Sequence, residues 1–305
     1  MKRFVLVAVL ALLARPAFAQ TATPAAVDPH AGHAMDQAAP AQPAAARNPN
    51  LPPSGDNNGA AAIEQLKSSP RHGEWVDIKG SDGTPIKSFV VYPERREKAP
   101  VVIVVMEIFG LSDWIRGVAD QLAKEGYIAI APDFLSGRGP NKGGSQELGQ
   151  AATQEIRNVT PADTERMLND VRTYALALPA ASGKIAAVGF CWGGGTVFNY
   201  ALKQPALNAA ISYYGPMPAD AAAYAGAKAP VLGLYGANDA RVNANIELAK
   251  AEMAKAKAVY EPHIFEAAGH GFLRQQAGNA NATGNMKATE DAWKLTLDFL
   301  KKHTR

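Results

Sequence analysis

The chain contains one cysteine, Cys191, in the pentapeptide Gly-Phe-Cys-Trp-Gly. An apolar run precedes it and a glycine-rich segment follows, which is the pattern of a sharp strand-to-helix turn that presents a nucleophile. Such a turn brings the backbone before and after the nucleophile so close together that only glycines fit. At the start of the following helix, unpaired N–H groups and the helix dipole stabilise a thiolate. The motif therefore favours Cys191 as a nucleophile over a buried small apolar residue, with the N–H of Trp192 as one oxyanion donor.

A thiol nucleophile needs a base, and the base needs an acid that orients it. Asp239 follows the apolar segment 231–235, and His270 stands between two glycines after the segment 260–265. The order nucleophile, acid, histidine is that of α/β-hydrolases, and both residues stand where this order requires. Asp239 is also typical of a helix N-cap. Elimination favours His270, because it alone of the six histidines follows a predicted strand in a loop with glycine neighbours.

Short apolar segments alternate with helical patterns from Glu74 onward. This alternation predicts an α/β fold with a mostly parallel central sheet flanked by helices on both faces. Ligand sites in such sheets lie beyond the carboxyl ends of the strands, where the polar residues of this chain fall. The predicted strands are 74–79, 86–92, 101–108, 127–131, 184–188, 208–213, 231–235 and 260–265, and helices are expected near 114–125, 162–178, 244–258 and 289–302.

The first nineteen residues have the pattern of a secretory signal peptide, with a basic start, a short apolar run and small residues before a cleavage site after Ala19. A periplasmic or secreted location is therefore expected. Residues 20–70 contain no aromatic side chain and are rich in Ala, Pro, Gln and Asn, which predicts a disordered linker before one domain at 71–305. His30 and His33 lie in this linker, where a solvated tail is favoured over a metal site.

Composition argues against several classes of partner. The formal net charge is +3 and no block of Lys or Arg suggests a nucleic-acid surface. After the first twenty residues no apolar run is long enough to span a membrane. One cysteine cannot form an intramolecular disulfide, so an odd thiol in an exported chain calls for a chemical explanation. No metal or organic cofactor is expected, and the expected partner is a small-molecule substrate.

From about Ile86 to the C-terminus the chain resembles the dienelactone hydrolase family of α/β-hydrolases. The motifs that carry the resemblance are Met-Glu-Ile-Phe-Gly at 106–110, Ala-Pro-Asp at 131–133, Gly-Phe-Cys-Trp-Gly-Gly at 189–194, Tyr-Tyr-Gly at 213–215, Gly-Ala-Asn-Asp at 236–239 and Gly-His-Gly-Phe at 269–272. The resemblance implies the α/β-hydrolase fold and a triad of Cys191, Asp239 and His270. It also implies that Glu107 holds the cysteine in its resting state and helps to deprotonate it, and that the N–H of Ile108 is the second oxyanion donor.

The resemblance further implies that Arg138 and Arg274 bind a substrate carboxylate, a role that suits the guanidinium fork, and that Tyr214 lines the substrate site. The expected reaction is hydrolysis of an ester or lactone, including enol-lactones, through a thioester acyl-enzyme. Two alternatives remain open from the sequence: a thiol acyltransferase or peptidase on the same scaffold, and a periplasmic binding protein that has lost turnover.

Overall fold

The computed structural model describes residues 48–276 and 282–305. Its strands are β1 Gly73–Lys79, β2 Pro85–Val91, β3 Ala99–Val105, β4 Ile128–Pro132, β5 Ala181–Phe190, β6 Ala209–Tyr213, β7 Val231–Gly236 and β8 Tyr260–Phe265. Its α-helices are α1 Asp56–Ser68, α2 Asp113–Lys124, α3 Ser145–Leu148, α4 Ala152–Glu155, α5 Pro161–Ala177, α6 Trp192–Lys203, α7 Ala240–Asn243, α8 Ile246–Lys255 and α9 Ala282–Thr304. Short 3-10 turns lie at Pro140–Lys142, Gly149–Ala151, Ile156–Asn158 and Ala221–Tyr224.

Within the described residues the strands form one eight-stranded sheet in the order β1-β2-β4-β3-β5-β6-β7-β8. β2 pairs antiparallel with β1 and β4, and every other pair is parallel. The predicted mostly parallel sheet is confirmed. β3 carries Val, Ile and Ala almost throughout and is buried, as expected of a central strand covered by helices on both faces.

Helices pack on the sheet, and the parallel direction of its strands determines which edge carries the site. α2 contacts β2, β3 and β4, whereas α6 and α9 contact β5 and β6. Because β3 and β5 to β8 are parallel, their carboxyl ends meet at one edge of the sheet. No helix of the described residues is long and apolar enough to cross a membrane.

One strand is shorter than its sequence pattern predicts. The apolar run suggests a strand to Ile108, but β3 ends at Val105. The chain turns at once after the strand, since the N–H of Gly110 donates to the carbonyl of Glu107 at 3.3 Å and Gly110 has a φ of +79°. The shortening matters because it places Glu107 and Ile108 in a turn at the carboxyl edge and not inside the sheet.

The prediction of a disordered linker at 20–70 does not hold for residues 48–70, which the structure describes and which include α1. Residues 1–47, with the signal-peptide pattern and His30 and His33, lie outside the described residues, but residues 48–68 fold onto α2, and we call this segment the N-terminal strap. Ala62 is fully buried, and Gln65 Nε2 donates to Asp120 Oδ2 at 2.7 Å. The strap can be ordered while burying little apolar area of its own, because polar side chains of the domain donate hydrogen bonds to its backbone carbonyl groups. Composition alone does not reveal such partners.

Candidate active site

Cys191 occupies the turn between β5 and α6. Its φ of 55° and ψ of −115° lie in a region that non-glycine residues rarely adopt, a strain typical of functional turns. A Cβ on Gly189 would lie 2.1 Å from the carbonyl oxygen of Gly193, and a Cβ on Gly193 would lie 2.4 Å from two carbonyl oxygens of the segment 105–106. The expectation that only glycines fit around this turn is therefore confirmed.

His270 lies between an acid and the thiol. Its Nδ1 is 2.5 Å from Oδ2 of Asp239, and a hydrogen bond also joins it to Cys191. Burial alone lowers the pKa of His270, but the hydrogen bonds and charges of Asp239 and Cys191 outweigh burial and raise the pKa to about 10. A protonated imidazole therefore stands at neutral pH between a carboxylate and the sulfur. The imidazole thus has a proton in reach of the Cys191 sulfur.

Asp239 contacts His270 and also caps a helix. It is buried, 7% exposed, and its Oδ1 accepts a long hydrogen bond of 3.4 Å from the N–H of Val242 in the first turn of α7. Its other oxygen faces His270. The helix start thus fixes the carboxylate that orients the imidazole.

Two backbone N–H groups lie where the predicted oxyanion donors belong. Trp192 is the first residue of α6, whose leading N–H groups have no partner inside the helix, and Ile108 lies in the turn after β3. β3 and β5 are parallel neighbours, with Val105 opposite Gly189, so both turns leave the same edge of the sheet. Among the described residues neither N–H donates to a backbone carbonyl outside regular helices and strands. Their role as oxyanion donors stays a prediction.

Glu107 and Arg274 form a buried ion pair in the site. The Nε of Arg274 is 2.7 Å from Oε2 of Glu107, which is 3% exposed, and the guanidinium lies 4.9 Å from the ring centre of Phe109. Burial is the largest single influence and lowers the pKa of Arg274, but the charge and hydrogen bond of Glu107, together with the charges of Tyr214 and Cys191, outweigh it, so the net pKa is raised. Glu107 therefore has a counter-ion that its sequence motif does not reveal.

Tyr214 packs against the histidine. Its ring centre lies 5.2 Å from that of His270 in an edge-on arrangement, and its φ is 40°. The residue is fully buried, and its hydroxyl has no hydrogen-bond partner in the part of the chain that the structure describes. Burial and the charge of Glu107 raise the pKa of Tyr214 well above 10.0, so the phenol is a neutral donor. A buried donor without a partner suits contact with a substrate oxygen.

Arg138 is not brought into contact with the triad. Its guanidinium forms ion pairs with Glu155 at 3.2 Å and Asp163 at 3.1 Å. It lines a cavity of about 200 Å³ together with Asp82, Thr84, Ile86, Phe134, Ser136, Gly137, Asp163, Arg166 and Met167. Two carboxylates already occupy the guanidinium, so its role in substrate binding stays a prediction.

A second polar cluster, Asp133 and Ser145, supports the turn that follows β3, and the sequence does not predict it. The Oγ of Ser145 donates to Oδ1 of Asp133 at 2.6 Å and accepts from the N–H of Leu111 at 2.9 Å. Oδ2 of Asp133 accepts from the Ser145 N–H at 2.7 Å. Burial raises the pKa of Asp133 and outweighs the hydrogen bonds, which lower it. The position of Asp133 after β4 was a visible signal, but nothing in the sequence around Ser145 points to this contact.

No group of three or more His, Cys, Asp or Glu side chains in residues 48–276 and 282–305 is placed to hold a metal ion.

The parallel sheet, the strained turn that carries Cys191, and the acid and histidine after later strands together define an α/β-hydrolase. Residues 86–304 match the model of the dienelactone hydrolase family, and the chain belongs to that family. The family confirms the resemblance seen in the sequence motifs. The names of the family and of its members indicate that the chain is a hydrolase that acts on a lactone or ester.

Individual relatives agree with this assignment. The chain is 31% identical over 236 residues to the Yersinia pestis protein named "Putative carboxymethylenebutenolidase", a match that covers 73% of this chain and 86% of that protein. It is 28% identical over 231 residues to carboxymethylenebutenolidase of Pseudomonas putida, covering 74% and 95%. A crystal structure titled "Putative Dienelactone Hydrolase" from Klebsiella pneumoniae superposes with a TM-score of 0.66 at 28% identity, covering 76% of this chain and 98% of that one.

Proposed function

We propose that this protein hydrolyses a carboxylic ester or lactone through a thioester on Cys191. The observation that carries the proposal is the position of His270, which is hydrogen-bonded both to Cys191 and to Asp239 and has its pKa raised to about 10. A thiolate beside an imidazolium is nucleophilic at neutral pH and needs no separate activating step.

The reaction follows from these positions. The sulfur attacks the substrate carbonyl carbon, and the N–H groups of Trp192 and Ile108 stabilise the oxyanion that forms. The bond between the carbonyl carbon and the leaving oxygen breaks, and His270 gives its proton to that oxygen. The neutral imidazole then takes a proton from water, whose oxygen attacks the thioester. The C–S bond breaks, the acid leaves, and the thiolate beside a protonated His270 is restored.

Arg274 supports a substrate that carries a carboxylate. Its guanidinium is buried in the site and is held by a single carboxylate, Glu107, through Nε. A substrate carboxylate could bind the remaining N–H groups as a bidentate pair. It would then compete with Glu107 for the guanidinium, so binding of substrate would loosen the Glu107 carboxylate. The hydroxyl of Tyr214 is available to a further substrate oxygen.

The decisive test is the variant Cys191→Ala with a p-nitrophenyl ester as substrate. Loss of the nucleophile should lower kcat by about 10³-fold or more. Mass spectrometry of wild-type protein quenched during turnover should find the acyl group on the peptide that contains Cys191. Substantial turnover by Cys191→Ala would overturn the proposal. Adding an alcohol or amine acceptor separates hydrolysis from acyl transfer, because an acyltransferase would form the new ester or amide in place of the free acid.

We also propose that the protein is exported after cleavage following Ala19. The support is the sequence pattern of residues 1–19. N-terminal sequencing of protein purified from the native host should begin at Gln20, and an N-terminus at Met1 would contradict the proposal.

A further inference from the structure

The N-terminal strap packs on the segment that carries Arg274. The carbonyl oxygen of Arg274 accepts hydrogen bonds from the N–H of Gly55 at 2.9 Å and the Oγ of Ser54 at 3.3 Å. Two residues further along, Gln276 Nε2 donates to the carbonyl of Pro52 at 3.1 Å. The strap precedes residues 86–304, the part that matches the family model, yet it touches a residue of the active site.

The strap is itself held in place by α2. The indole Nε1 of Trp114 donates to the carbonyl of Pro53 at 2.8 Å, and Gln65 Nε2 donates to the carbonyl of Gly117 at 2.9 Å. The helix and the strap approach so closely at Gly117 that a Cβ there would lie 2.7 Å from Cγ of Pro53 and 3.1 Å from Cβ of Ala62. The position of the strap against Arg274 is therefore fixed from both sides.

Gly55 is the point of closest approach. A Cβ at this position would lie 2.1 Å from Cγ and 2.8 Å from Cδ of Arg274, and 3.3 Å from Trp114. Its φ of −87° and ψ of 0° are open to any residue, so backbone conformation does not demand glycine here. What demands it is space, because the stem of Arg274 occupies the volume that a side chain of residue 55 would fill.

We propose that the N-terminal strap forms one wall of the active site and that Gly55 sets the position of the Arg274 side chain, and with it the preference for substrates that carry a carboxylate. The stem of Arg274 lies against Gly55, and its guanidinium lies over the ring of Phe109 and pairs with Glu107. A guanidinium held in this way loses little freedom when it binds a carboxylate. Gly55 is a positioning residue that acts through Arg274, and the inference rests on the proposed function.

The test compares two esters with the same leaving group and acyl chains of equal length, mono-p-nitrophenyl adipate and p-nitrophenyl hexanoate. In Gly55→Ala the Arg274 stem must leave its place, so kcat/KM for the adipate should fall about 10- to 100-fold, mainly through KM. The hexanoate, which needs only the triad, should change less than about threefold. Gly55→Ser should behave like Gly55→Ala, since serine restores a good helix N-cap but also brings a Cβ.

Two controls isolate the cause. Gly226→Ala makes the same chemical change where the nearest atom to a new Cβ is 3.7 Å away, and it should alter neither ester by more than about twofold. In the Arg274→Ala background the atoms that clash are gone, so Gly55→Ala should have no further effect on the adipate. Circular dichroism and the thermal midpoint of each variant establish that it is folded.

Three results would overturn the inference: equal losses for both esters in the Gly55 variants, an unchanged preference in Gly55→Ser, or a full additional loss in the Arg274→Ala background. Failure of the proposed function has a separate signature, which is turnover of the hexanoate by Cys191→Ala. A wild-type protein that needs Cys191 but shows no preference for the adipate would leave the proposed function intact and refute the role of Gly55.

Discussion

The replacement Asp239→Asn removes one negative charge from the site while keeping the shape of the side chain. Asp239 contacts His270 through Oδ2 at 2.5 Å and caps α7 through Oδ1, which accepts from Val242. Asparagine is about as good an N-cap as aspartate, so the variant should keep the start of α7. Any change in the imidazole therefore reports the charge of Asp239 and not a local unfolding.

The expected effect is a lower pKa of His270. Burial lowers this pKa, but Asp239 and Cys191 together raise it from 6.5 to about 10. A hydrogen bond to a charged group contributes about 1.5–3 kcal/mol, and one pKa unit corresponds to about 1.4 kcal/mol. Losing the charge of Asp239 should lower the pKa of His270 by about 1–2 units, to about 8–9. The imidazole also loses its orientation, so kcat should fall by about 10²-fold or more.

Nuclear magnetic resonance titration of the imidazole nitrogens measures this pKa directly, with the signal assigned through His270→Gln. Asp220→Asn is the matched control, because Asp220 is an exposed aspartate that caps the 3-10 turn Ala221–Tyr224 through the N–H of Ala222 at 2.9 Å. It should leave the pKa of His270 unchanged. A wild-type pKa near 6.5, or values that agree within about 0.3 units between wild type and Asp239→Asn, would refute the reasoning.

Four further outcomes are expected. Gly193→Ala would place a Cβ 2.4 Å from backbone carbonyl oxygens, so the free energy of unfolding in urea should fall by about 3 kcal/mol or more. Ser145→Ala leaves the N–H of Leu111 without its partner and removes one of the two hydrogen bonds to Oδ1 of the buried Asp133, and should lower stability by about 1–3 kcal/mol and reduce kcat. Arg71→Ala strips a buried ion pair of 2.7 Å from Asp120 and should destabilise by about 3–5 kcal/mol in the same assay. The pKa of His270 is raised on folding, so its protonation stabilises the folded state fully below pH 6.5, and this contribution is lost as pH rises through about 10. Urea titrations across this range should record a fall in the free energy of unfolding of at most about 5 kcal/mol. The fall should be smaller in Asp239→Asn.

Much of the fold and the central residues of the site follow from local pattern. Each strand predicted from apolar runs is present. Short runs such as 231–235 are apolar throughout, which is typical of buried strands, whereas an amphipathic helix would carry polar residues on one face. The position of Cys191, Asp239 and His270 at the ends of parallel strands predicts that they meet, and the contacts of His270 with the other two bear this out. Spacing suffices here because a parallel sheet brings the ends of its strands to one edge whatever lies between them.

Pattern does not predict pairings between common residue types that are distant in the chain. Glu107 and Arg274 are both visible as motif residues, but nothing local indicates that they neutralise each other. Arg138, selected by the same resemblance, pairs with Glu155 and Asp163 instead of joining the triad. Arginines and carboxylates are frequent on any surface, so the choice among partners depends on packing that the sequence does not display.

The N-terminal strap shows why composition misjudges a short segment. Low aromatic content predicts disorder when a segment must bury its own apolar surface to offset the loss of entropy. Residues 48–68 instead use a surface that the domain already provides: Trp114 and Gln276 donate to strap carbonyls, and Ala62 is covered by α2. Small side chains lower the apolar content of the strap, and they also let its backbone approach the domain closely. Gly55 leaves room for the side chain of Arg274, and Ala62 packs against Gly117 of α2. The small residues that make the composition of the strap typical of disorder are therefore the same residues that allow it to pack closely against Arg274.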